Sequence, residues 1–234
     1  WESPCRTYYE AAAGPGSSGA VLNAAGLQCA GFSEIDSRKA SIAARNLKCK
    51  VKHSGDFTKL DPNSIPDHDV LYGGLNCAPF SKIGLKLGLR DKRASVFWQF
   101  LVVAAIKQPK LCLIENVANF IASNKGRNFA IIKEIARMIG YQVSFNIRNA
   151  CDFVRQDRSR CFIYLVRNDM AEAGGMPEPE LPKADRQSIQ QWLSHPDTVP
   201  HTWLDEDMHK YTEVRSPCSP VTDEEAGKPV VVGY

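Results

Sequence analysis

The sequence predicts an α/β fold built on a mainly parallel sheet. Two observations predict it. Short apolar runs typical of buried strands alternate with longer segments of helical periodicity as far as about residue 167, which favours parallel pairing. The 234 residues are 44% hydrophobic and 24% charged, which is the balance of a soluble domain with one sizeable core.

Apolar spacing and turn residues predict the elements in order. Strands are predicted at residues 6–13, 27–33, 69–72, 111–114, 141–147 and 161–166, the last two as a closing pair. Helices are predicted from a glycine turn at 14–19 to about residue 26, and over residues 36–46, 94–108 and 128–139. Asp36 or Ser37 could cap the second helix, and the proline-containing segment 60–67 is a loop.

A cysteine lies where a predicted strand ends and a glycine-rich basic segment begins. Residues 69–72 form the strand, and Gly73 and Gly74 let the backbone leave it sharply where a substrate must come close. Cys77 follows three residues later. A thiol at such a strand end is well placed for attack, so Cys77 is the candidate nucleophile.

Other segments supply charges that complement a thiol. Glu115 follows one strand-like run, and Arg158 and Arg160 precede another. The segment 79–93 interleaves glycines with the basic residues Lys82, Lys86, Arg90, Lys92 and Arg93. It is either a solvated surface loop or a lid that closes over a phosphate backbone, and its place after Cys77 favours the lid.

In order and spacing, these pieces resemble the C5-cytosine DNA methyltransferase family over about residues 7–167. Three segments are similar to its cofactor motifs: 10–16 to the glycine-rich turn, 34–36 to the ribose-binding strand end and 55–57 to the adenine-binding turn. Three more resemble its catalytic loop, its Glu-Asn-Val signature and its Gln-x-Arg-x-Arg signature, at Cys77, Glu115 and Arg158. Each alone occurs by chance, whereas six in this order are specific.

The resemblance implies a Rossmann-like methyltransferase fold, with helices on both faces of the sheet and S-adenosylmethionine as cofactor. It implies cofactor contacts from Ala12, Gly14, Gly16, Glu34, Ile35, Asp56, Phe57 and Asn76. Glu34 would bind the ribose, Asp56 the adenine amino group, and the first helix would turn its N-terminal amides to the cofactor carboxylate. Without the resemblance, the glycines would form an ordinary turn, Glu34 would be a solvated surface residue and Asp56 a turn residue.

The resemblance also implies catalytic roles for Cys77, Glu115, Arg158 and Arg160. Cytosine C5 is a poor nucleophile, so the Cys77 thiolate would first add to C6, which requires a thiol pKa below its usual value of about 8.5. Glu115 would hydrogen-bond or protonate N3. Arg158 would orient the base and the adduct, and Arg160 would be structural or directed at phosphate.

The resemblance implies DNA as the partner. None of the reacting atoms is reachable in a stacked duplex, so the cytosine would have to be flipped out beneath the segment 79–93. Predicted nucleic-acid contacts are Ser81, Lys82, Lys86, Arg90, Arg93 and Arg155. The same reaction on RNA is an alternative, since the short tail offers little to read a major groove. A catalytically silent member that binds nucleic acid or a partner enzyme is another.

Three positions depart from the family pattern. Asn76 and Ala78 stand where the family usually has proline and glutamine, and Ala12 stands where it has an aromatic residue. Asn76 would loosen the loop or add a hydrogen bond to the base, and Ala12 removes a packing surface from the cofactor. No Gly-Asn-x-Val segment closes the cofactor site, so either the chain is truncated or something else, such as a partner chain, completes the pocket.

After Arg167 the composition changes. Residues 168–234 are rich in proline and show one convincing helix, at 188–193. Two domains are therefore predicted: a catalytic domain at 1–167 and a loop-rich segment at 168–234, which is a reduced or truncated target-recognition region.

Composition argues against several other classes of protein. No apolar run reaches the length of a membrane span, and the N-terminus is no signal peptide, so a soluble intracellular protein is expected, nuclear in a eukaryote or cytoplasmic in a bacterium or virus.

The eight cysteines are scattered, which favours reduced thiols. No CxxC pair occurs and the histidines are dispersed, so no metal site is predicted. The net charge of +3 permits a locally basic face.

Overall fold

The computed structural model describes residues 5–50, 53–75, 95–152 and 156–172. The chain divides into two compact units, one comprising residues 1–148 and 160–178 and the other residues 149–159 and 179–234. The division predicted at residue 167 stays a prediction. None of the helices in the described ranges is long and apolar enough to cross a membrane.

Strands and helices alternate along the described chain. The strands are β1 (Thr7–Ala11), β2 (Gln28–Phe32), β3 (Val70–Gly74), β4 (Leu111–Val117), β5 (Tyr141–Asn149) and β6 (Ser159–Arg167). The helices are α1 (Ser17–Ala24), α2 (Ser37–Asn46), α3 (Ser95–Lys107), α4 (Asn119–Ala122), α5 (Arg127–Met138) and α6 (Asn168–Glu172). The ten predicted elements in these ranges are confirmed in kind and order, whereas the short helices α4 and α6 were not predicted.

Within the described residues the strands form one sheet in the order β2-β1-β3-β4-β6-β5. The first four pair in parallel, and β6 runs antiparallel to β4. Backbone hydrogen bonds from Ala150 to Arg158 and from Asn168 to Gly140 join the two ends of β5 and β6, which makes them an antiparallel pair. The prediction of a mainly parallel sheet with a closing strand pair is confirmed.

Helices cover both faces of the sheet. Successive side chains of a strand point to opposite faces. In β1 the Tyr8 hydroxyl donates to the Gly19 carbonyl of α1 at 3.1 Å. The next residue, Tyr9, belongs to the large core that contains Phe97 and Phe100 of α3. Because Tyr8 bonds to α1 and the adjacent Tyr9 points into the core that contains residues of α3, α1 and α3 lie on opposite faces, as the resemblance implies.

Asp36 caps helix α2. Its Oδ1 accepts hydrogen bonds from the backbone N–H groups of Arg38 at 2.9 Å and Lys39 at 3.2 Å, so Asp36 rather than Ser37 is the N-cap. The buried face of the helix joins a second, smaller core of Ala13, Phe32, Ala40, Ala43 and Leu47. This packing fixes α2 beside the turn that leads into α1.

Two strand ends differ from the prediction. Gly73 and Gly74 do not leave the sheet, because they pair with Ile114 and Glu115 of β4. Gly73 is required for packing, since a Cβ there would lie 2.6 Å from the Leu75 side chain. Strand β4 likewise continues to Val117, which places Glu115 within the strand rather than after it.

At the opposite edge of the sheet, Asp69 joins three strands at their amino ends. Its Oδ2 accepts from the backbone N–H groups of Arg6 at 2.8 Å and Thr7 at 3.1 Å. Its Oδ1 lies 2.8 Å from Lys110 Nζ. Burial raises the pKa of Asp69, but Lys110 and the two N–H groups outweigh burial and lower it to about 2.

The same edge is held by side chains from the closing strand pair. Arg167 at the end of β6 donates from Nη1 to the Gln108 carbonyl at 2.6 Å. Tyr141 at the start of β5 donates to the Pro109 carbonyl at 2.7 Å. Both carbonyls belong to the connection between α3 and β4, so this connection is fastened from two strands.

Most of the described cysteines form no disulfide. Those at positions 5, 29, 49, 112 and 161 are unbridged. Cys151 is disulfide-bonded, so the expectation of reduced thiols is wrong at that position. Burial is the main cause that raises the pKa of the Cys161 thiol to about 11, which makes it a packing residue rather than a nucleophile.

Candidate active site

The predicted site residues of the sheet unit lie at one edge, where β1 to β4 have their carboxyl ends. Because β6 is antiparallel to β4, the start of β6 lies there too. The chain moves outward from β1 to β2 and then crosses to the other side of β1 to form β3. This reversal creates a topological switch point between β1 and β3, which is where open α/β sheets bind ligands.

The turn between β1 and α1 adopts left-handed backbone conformations. Ala12, Gly14 and Gly16 have φ angles of 52°, 58° and 78°. Glycine adopts these without steric cost, whereas Ala12 is strained and is held by a 3.2 Å hydrogen bond from its N–H to Ser33 Oγ. A Cβ at Gly14 would meet open space, while one at Gly16 would lie 3.0 Å from Ala43 Cα. The turn therefore packs closely on α2 at Gly16 and is open at Gly14.

Glu34 ties the end of β2 to this turn. Its Oε2 accepts from the Gly14 N–H at 2.7 Å, and its Oε1 accepts from the Asp36 N–H at 2.9 Å. The residue is only 7% exposed, so the solvated-surface alternative is wrong. A carboxylate has about four acceptor positions, which leaves about two for the hydroxyls of a ribose. The neighbouring Ile35 is 74% exposed and offers an apolar surface beside the carboxylate.

Asp56 and Phe57 have clear local roles. Asp56 Oδ1 accepts from the Thr58 backbone N–H at 3.0 Å and from the Thr58 hydroxyl at 2.8 Å, and these bonds lower its pKa. Asp56 therefore caps a turn, as the local alternative proposed. Phe57 is buried, with its ring centroid 6.4 Å from that of Tyr9. Its ring is part of the core, so a ligand would meet the outer side of this turn.

Glu10 is a buried residue of this edge to which the sequence reading gave no role. It is 1% exposed, and its Oε2 has no hydrogen-bond partner. Burial raises the pKa of Glu10 to about 8, against the lowering effect of the Gly19 N–H. A Cβ on Gly19 would lie 2.4 Å from Oε2, so α1 packs directly on the carboxyl. An acid within the apolar run Thr-Tyr-Tyr-Glu-Ala was the signal that could have singled it out.

Glu115 and Arg160 form an ion pair across β4 and β6. Arg160 Nε lies 2.8 Å from Glu115 Oε1, and the two side chains are 21% and 24% exposed. The pair is therefore open to a ligand at the sheet edge. On the β3 side, a Cβ at Gly74 would lie 3.6 Å from Glu115 Oε2. The glycine leaves space directly beside the carboxylate.

Arg158 belongs to the second unit. Its backbone N–H donates to Asn149 Oδ1 at 3.0 Å, and the same oxygen accepts from the Cys151 N–H at 3.1 Å. Asn149 Nδ2 in turn donates to Asp157 Oδ1 at 2.8 Å. Asn149 thus organises the backbone on both sides of this connection, and Arg158 is an exposed residue of it.

The turn and Glu34 together fit a nucleoside cofactor that carries a carboxylate. Gly16, the N-cap of α1, gives the helix no side-chain cap, so its first amides suit a carboxylate. The unpartnered Oε2 of Glu10 is buried against α1 and therefore lies beneath this surface. Within the described ranges, no group of three or more histidine, cysteine, aspartate or glutamate residues is placed to hold a metal ion.

The comparison with known families decides which family this chain belongs to. The model of the C-5 cytosine-specific DNA methylases matches residues 7–220, which is most of the chain. The chain belongs to this family. The glycine turn, Glu115 and Arg160 all lie within the matched region.

Several bacterial members of the family are similar in sequence. The type II methyltransferase M.SsoII of Shigella sonnei is 44% identical over 110 residues, which cover 47% of this chain and 29% of that protein. M1.ScrFI of Lactococcus lactis subsp. cremoris is 36% identical over 151 residues, covering 64% and 38%. M.HhaI of Haemophilus parahaemolyticus is 30% identical over 159 residues, covering 68% and 48%. The chain therefore spans less than half the length of these curated relatives.

Solved structures share the fold of this methylase-family chain. The Dnmt2 methyltransferase of S. pombe aligns with a TM-score of 0.55 and 21% identity, over 89% of this chain and 61% of that one. A putative DNA modification methyltransferase of an E. coli prophage aligns with a TM-score of 0.62 and 20% identity, over 83% and 56%. These likenesses confirm the Rossmann-like methyltransferase fold.

Some of the family residues predicted from the sequence lie outside the described residues. They are Cys77 and Asn76 of the catalytic loop and the nucleic-acid contacts Ser81, Lys82, Lys86, Arg90, Arg93 and Arg155. Their roles stay predictions. The described residues bring together Glu115 with Arg160, and Glu34 with Gly14.

Proposed function

We propose that this chain is the catalytic part of an S-adenosylmethionine-dependent methyltransferase that methylates cytosine at C5 in DNA. The observation that carries the proposal is the Glu115–Arg160 ion pair at the carboxyl edge of a sheet in a chain of this family. The pair supplies a carboxyl group for the base, held in place by a cation, beside the strand that leads to Cys77.

The nucleophile follows from covalent geometry and chemistry. Leu75 is the last described residue before Cys77. Consecutive Cα atoms are about 3.8 Å apart, so the chain length alone limits the distance between the Cα atoms of Leu75 and Cys77 to about 7.6 Å. Gly74 pairs with Glu115 in the sheet. The Cys77 thiolate adds to C6 of cytosine, the C5=C6 electrons become nucleophilic at C5, and Glu115 stabilises the charge that develops at N3.

The cofactor supplies an electrophilic methyl group on a sulfonium centre. Glu34 accepts from the ribose hydroxyls, and the first amides of α1 face the carboxylate. Ala12, Gly14 and Gly16 let the backbone pass close to the ligand. Ile35, Asp56, Phe57 and Asn76 complete the predicted contacts, with Asp56 receiving the adenine amino group. Transfer of the methyl group to C5 would break its bond to the sulfonium sulfur and leave S-adenosylhomocysteine. The C5 proton would then pass to water, and cleavage of the C6–S bond would release the Cys77 thiolate and restore the aromatic ring.

DNA is the proposed substrate and partner. The cytosine is flipped out of the helix beneath the segment 79–93, where Ser81, Lys82, Lys86, Arg90 and Arg93 contact phosphates together with Arg155. Arg158 orients the flipped base and Arg160 holds Glu115. An enzyme that methylates cellular DNA would act inside the cell.

A covalent trap tests this proposal. The protein is mixed with S-adenosylmethionine and a DNA duplex that carries 5-fluorocytosine, and the mixture is run on a denaturing gel beside the Cys77→Ala variant. Fluorine cannot leave C5 as the proton does, so an active enzyme stays attached through sulfur to C6. We expect a DNA-linked band in the wild type and none in Cys77→Ala.

The outcome on DNA is compared with the outcome on RNA. A band that forms only on 5-fluorocytosine RNA moves the substrate from DNA to RNA and keeps the chemistry. Absence of a band on both polymers, together with no binding of S-adenosylmethionine by calorimetry, overturns the proposed activity and leaves a silent, partner-binding member of the family.

A further inference from the structure

Asn116 lies in β4 between Glu115 and Val117 and is 1% exposed. Both ends of its side-chain amide are used. Nδ2 donates to the Leu75 carbonyl at 3.1 Å, and Oδ1 accepts from the Val117 N–H at 2.9 Å. A buried amide that meets a distant backbone carbonyl fixes two chain segments relative to each other, because breaking the bond would leave polar groups unpaired away from water.

The bond to Leu75 stands where the sheet ladder stops. The last paired residues of β3 and β4 are Gly74 and Glu115. At the next position the Leu75 carbonyl is taken by the Asn116 side chain. The Leu75 side chain is 3% exposed and packs in the large core. Leu75 is therefore held both through its backbone and through its side chain at the point where the chain leaves the sheet.

We propose that Asn116 is a positioning residue, which fixes the chain that carries Cys77 next to the strand that carries Glu115. The inference rests on the proposed function, since it concerns the geometry of thiol and acid. Asn116 adjoins Glu115 in sequence, and the carbonyl that it binds is only two residues from Cys77. One side chain thus couples the placement of both reacting groups, without contact with substrate or cofactor.

Asn128 provides a matched control. It is also a buried asparagine, 4% exposed, and its Nδ2 donates to Ser123 Oγ at 3.1 Å. It lies at the start of α5, outside the candidate site. Substitution of either residue removes a 3.1 Å hydrogen bond of a buried asparagine, although the bond of Asn128 is only part-buried. The comparison therefore separates loss of stability from loss of positioning.

The experiment uses the full chain with Asn116→Asp, Asn116→Ala, Asn128→Asp and Asn128→Ala. Asn116→Asp keeps the acceptor for Val117 and removes the donor to Leu75. At saturating 5-fluorocytosine DNA and S-adenosylmethionine, we expect both Asn116 variants to form the covalent adduct about 10- to 100-fold more slowly than the wild type. Cofactor affinity should stay within about twofold, because the glycine turn and Glu34 are unchanged. The Asn128 variants should trap at the wild-type rate even where their melting temperatures fall as far.

A second readout is independent of methyl transfer. In the reduced protein, the rate at which iodoacetamide alkylates Cys77 is followed against pH by peptide mass spectrometry. In Asn116→Ala we expect the midpoint to move toward the unperturbed thiol value of about 8.5, and in Asn128→Ala we expect the wild-type midpoint.

Three results decide the inference. The inference is overturned if the Asn116 variants form the adduct at the wild-type rate and Cys77 in them is alkylated with the wild-type pH profile. It is also overturned if the Asn128 variants form the adduct as slowly as the Asn116 variants, because Asn116 would then be structural only. If the wild type itself forms no adduct, the proposed function fails, and the alkylation profiles still decide whether Asn116 positions Cys77.

Discussion

Strand β3 ends in two adjacent glycines, and the absence of a side chain has a different physical consequence at each position. A Cβ at Gly73 would lie 2.6 Å from the Leu75 side chain and 3.0 Å from the Phe100 ring, inside the packed core. A Cβ at Gly74 would lie 3.6 Å from Glu115 Oε2, an ordinary contact at the open edge. The first glycine therefore serves packing, and the second leaves room beside the acid.

Substitution of these glycines by alanine should separate stability from activity. Gly73→Ala should lower the free energy of unfolding by about 1–3 kcal/mol, because the added methyl overfills the core. Gly74→Ala should leave stability within about 0.5 kcal/mol of the wild type but slow adduct formation, because the methyl narrows the approach to Glu115. Urea denaturation and the covalent trap measure the two effects. Equal loss of stability in both variants would contradict the assignment.

Sequence reasoning locates residues whose role depends on local order. It finds Glu34 because an acid follows a strand, and the structure adds that this acid is buried and holds Gly14. It gives no role to Glu10 or Asn116. The bond from Asn116 to Leu75 spans 41 residues and exists only because the ladder stops there, which no local pattern encodes.

At the scale of single elements, helix α2 depends on its cap. Asp36→Ala should reduce the free energy of unfolding by about 1 kcal/mol, because the N–H groups of Arg38 and Lys39 lose their acceptor. Ser37→Ala is the matched control and should change stability little, since the exposed Ser37 follows the cap. Thermal unfolding of both variants measures this, and a larger effect at Ser37 would reassign the cap.

The stability that Asp69 contributes by joining three strands should decrease in acid. The folded-state pKa of about 2 lies below the value of about 3.9 in an unfolded chain, so ionised Asp69 favours the folded state above pH 4. This contribution, about 2 kcal/mol, is lost as pH falls from about 4 to about 2. Asp69→Asn should therefore be less stable than the wild type at pH 6 and approach it near pH 2.

Urea denaturation of both proteins from pH 6 to pH 2 measures this difference. Lys110→Met should reproduce part of the effect, because it removes the ion pair at 2.8 Å and leaves the N–H groups of Arg6 and Thr7. A stability difference that stays constant across this range would show that Asp69 acts through packing instead of charge.

Strands were predictable in place but not in length. The apolar run before Glu115 predicts β4, yet the strand continues through Glu115 and Asn116 to Val117 because β6 pairs with it along its whole length. Likewise, Gly73 and Gly74 suggest a turn by composition, while their neighbours in β4 keep them in the sheet. Strand ends are decided by the partner strand, which the local sequence does not contain.

At the scale of the whole molecule, DNA binding should depend on salt. Each phosphate contact that is lost should reduce the slope of log affinity against log salt by about 0.9. Lys86→Gln combined with Arg90→Gln should therefore reduce the slope by about 2 and weaken binding. Arg137→Gln is the control, since Arg137 is exposed and paired with Glu134 at 2.7 Å. Fluorescence anisotropy at several salt concentrations measures this, and an equal change in the control would point to net charge alone.

The sequence predicts the class of the fold better than its topology. Alternating strands and helices indicate a parallel sheet, and the closing pair is also visible in the pattern. The insertion of β6 between β4 and β5 is not visible in the sequence pattern, because it depends on which strand pairs with the free edge of β4. This insertion brings Arg160 beside Glu115, so the ion pair between them is a product of topology.

The two edges of the sheet are built differently. The amino-end edge is tied across strands by Asp69, Lys110, Tyr141 and Arg167, whereas the opposite edge carries the glycine turn and the Glu115–Arg160 pair. Such a division separates the contacts that hold the strands together from the residues of the candidate site. A mutational library confined to the carboxyl edge could explore new substrates while the other edge continues to specify the fold.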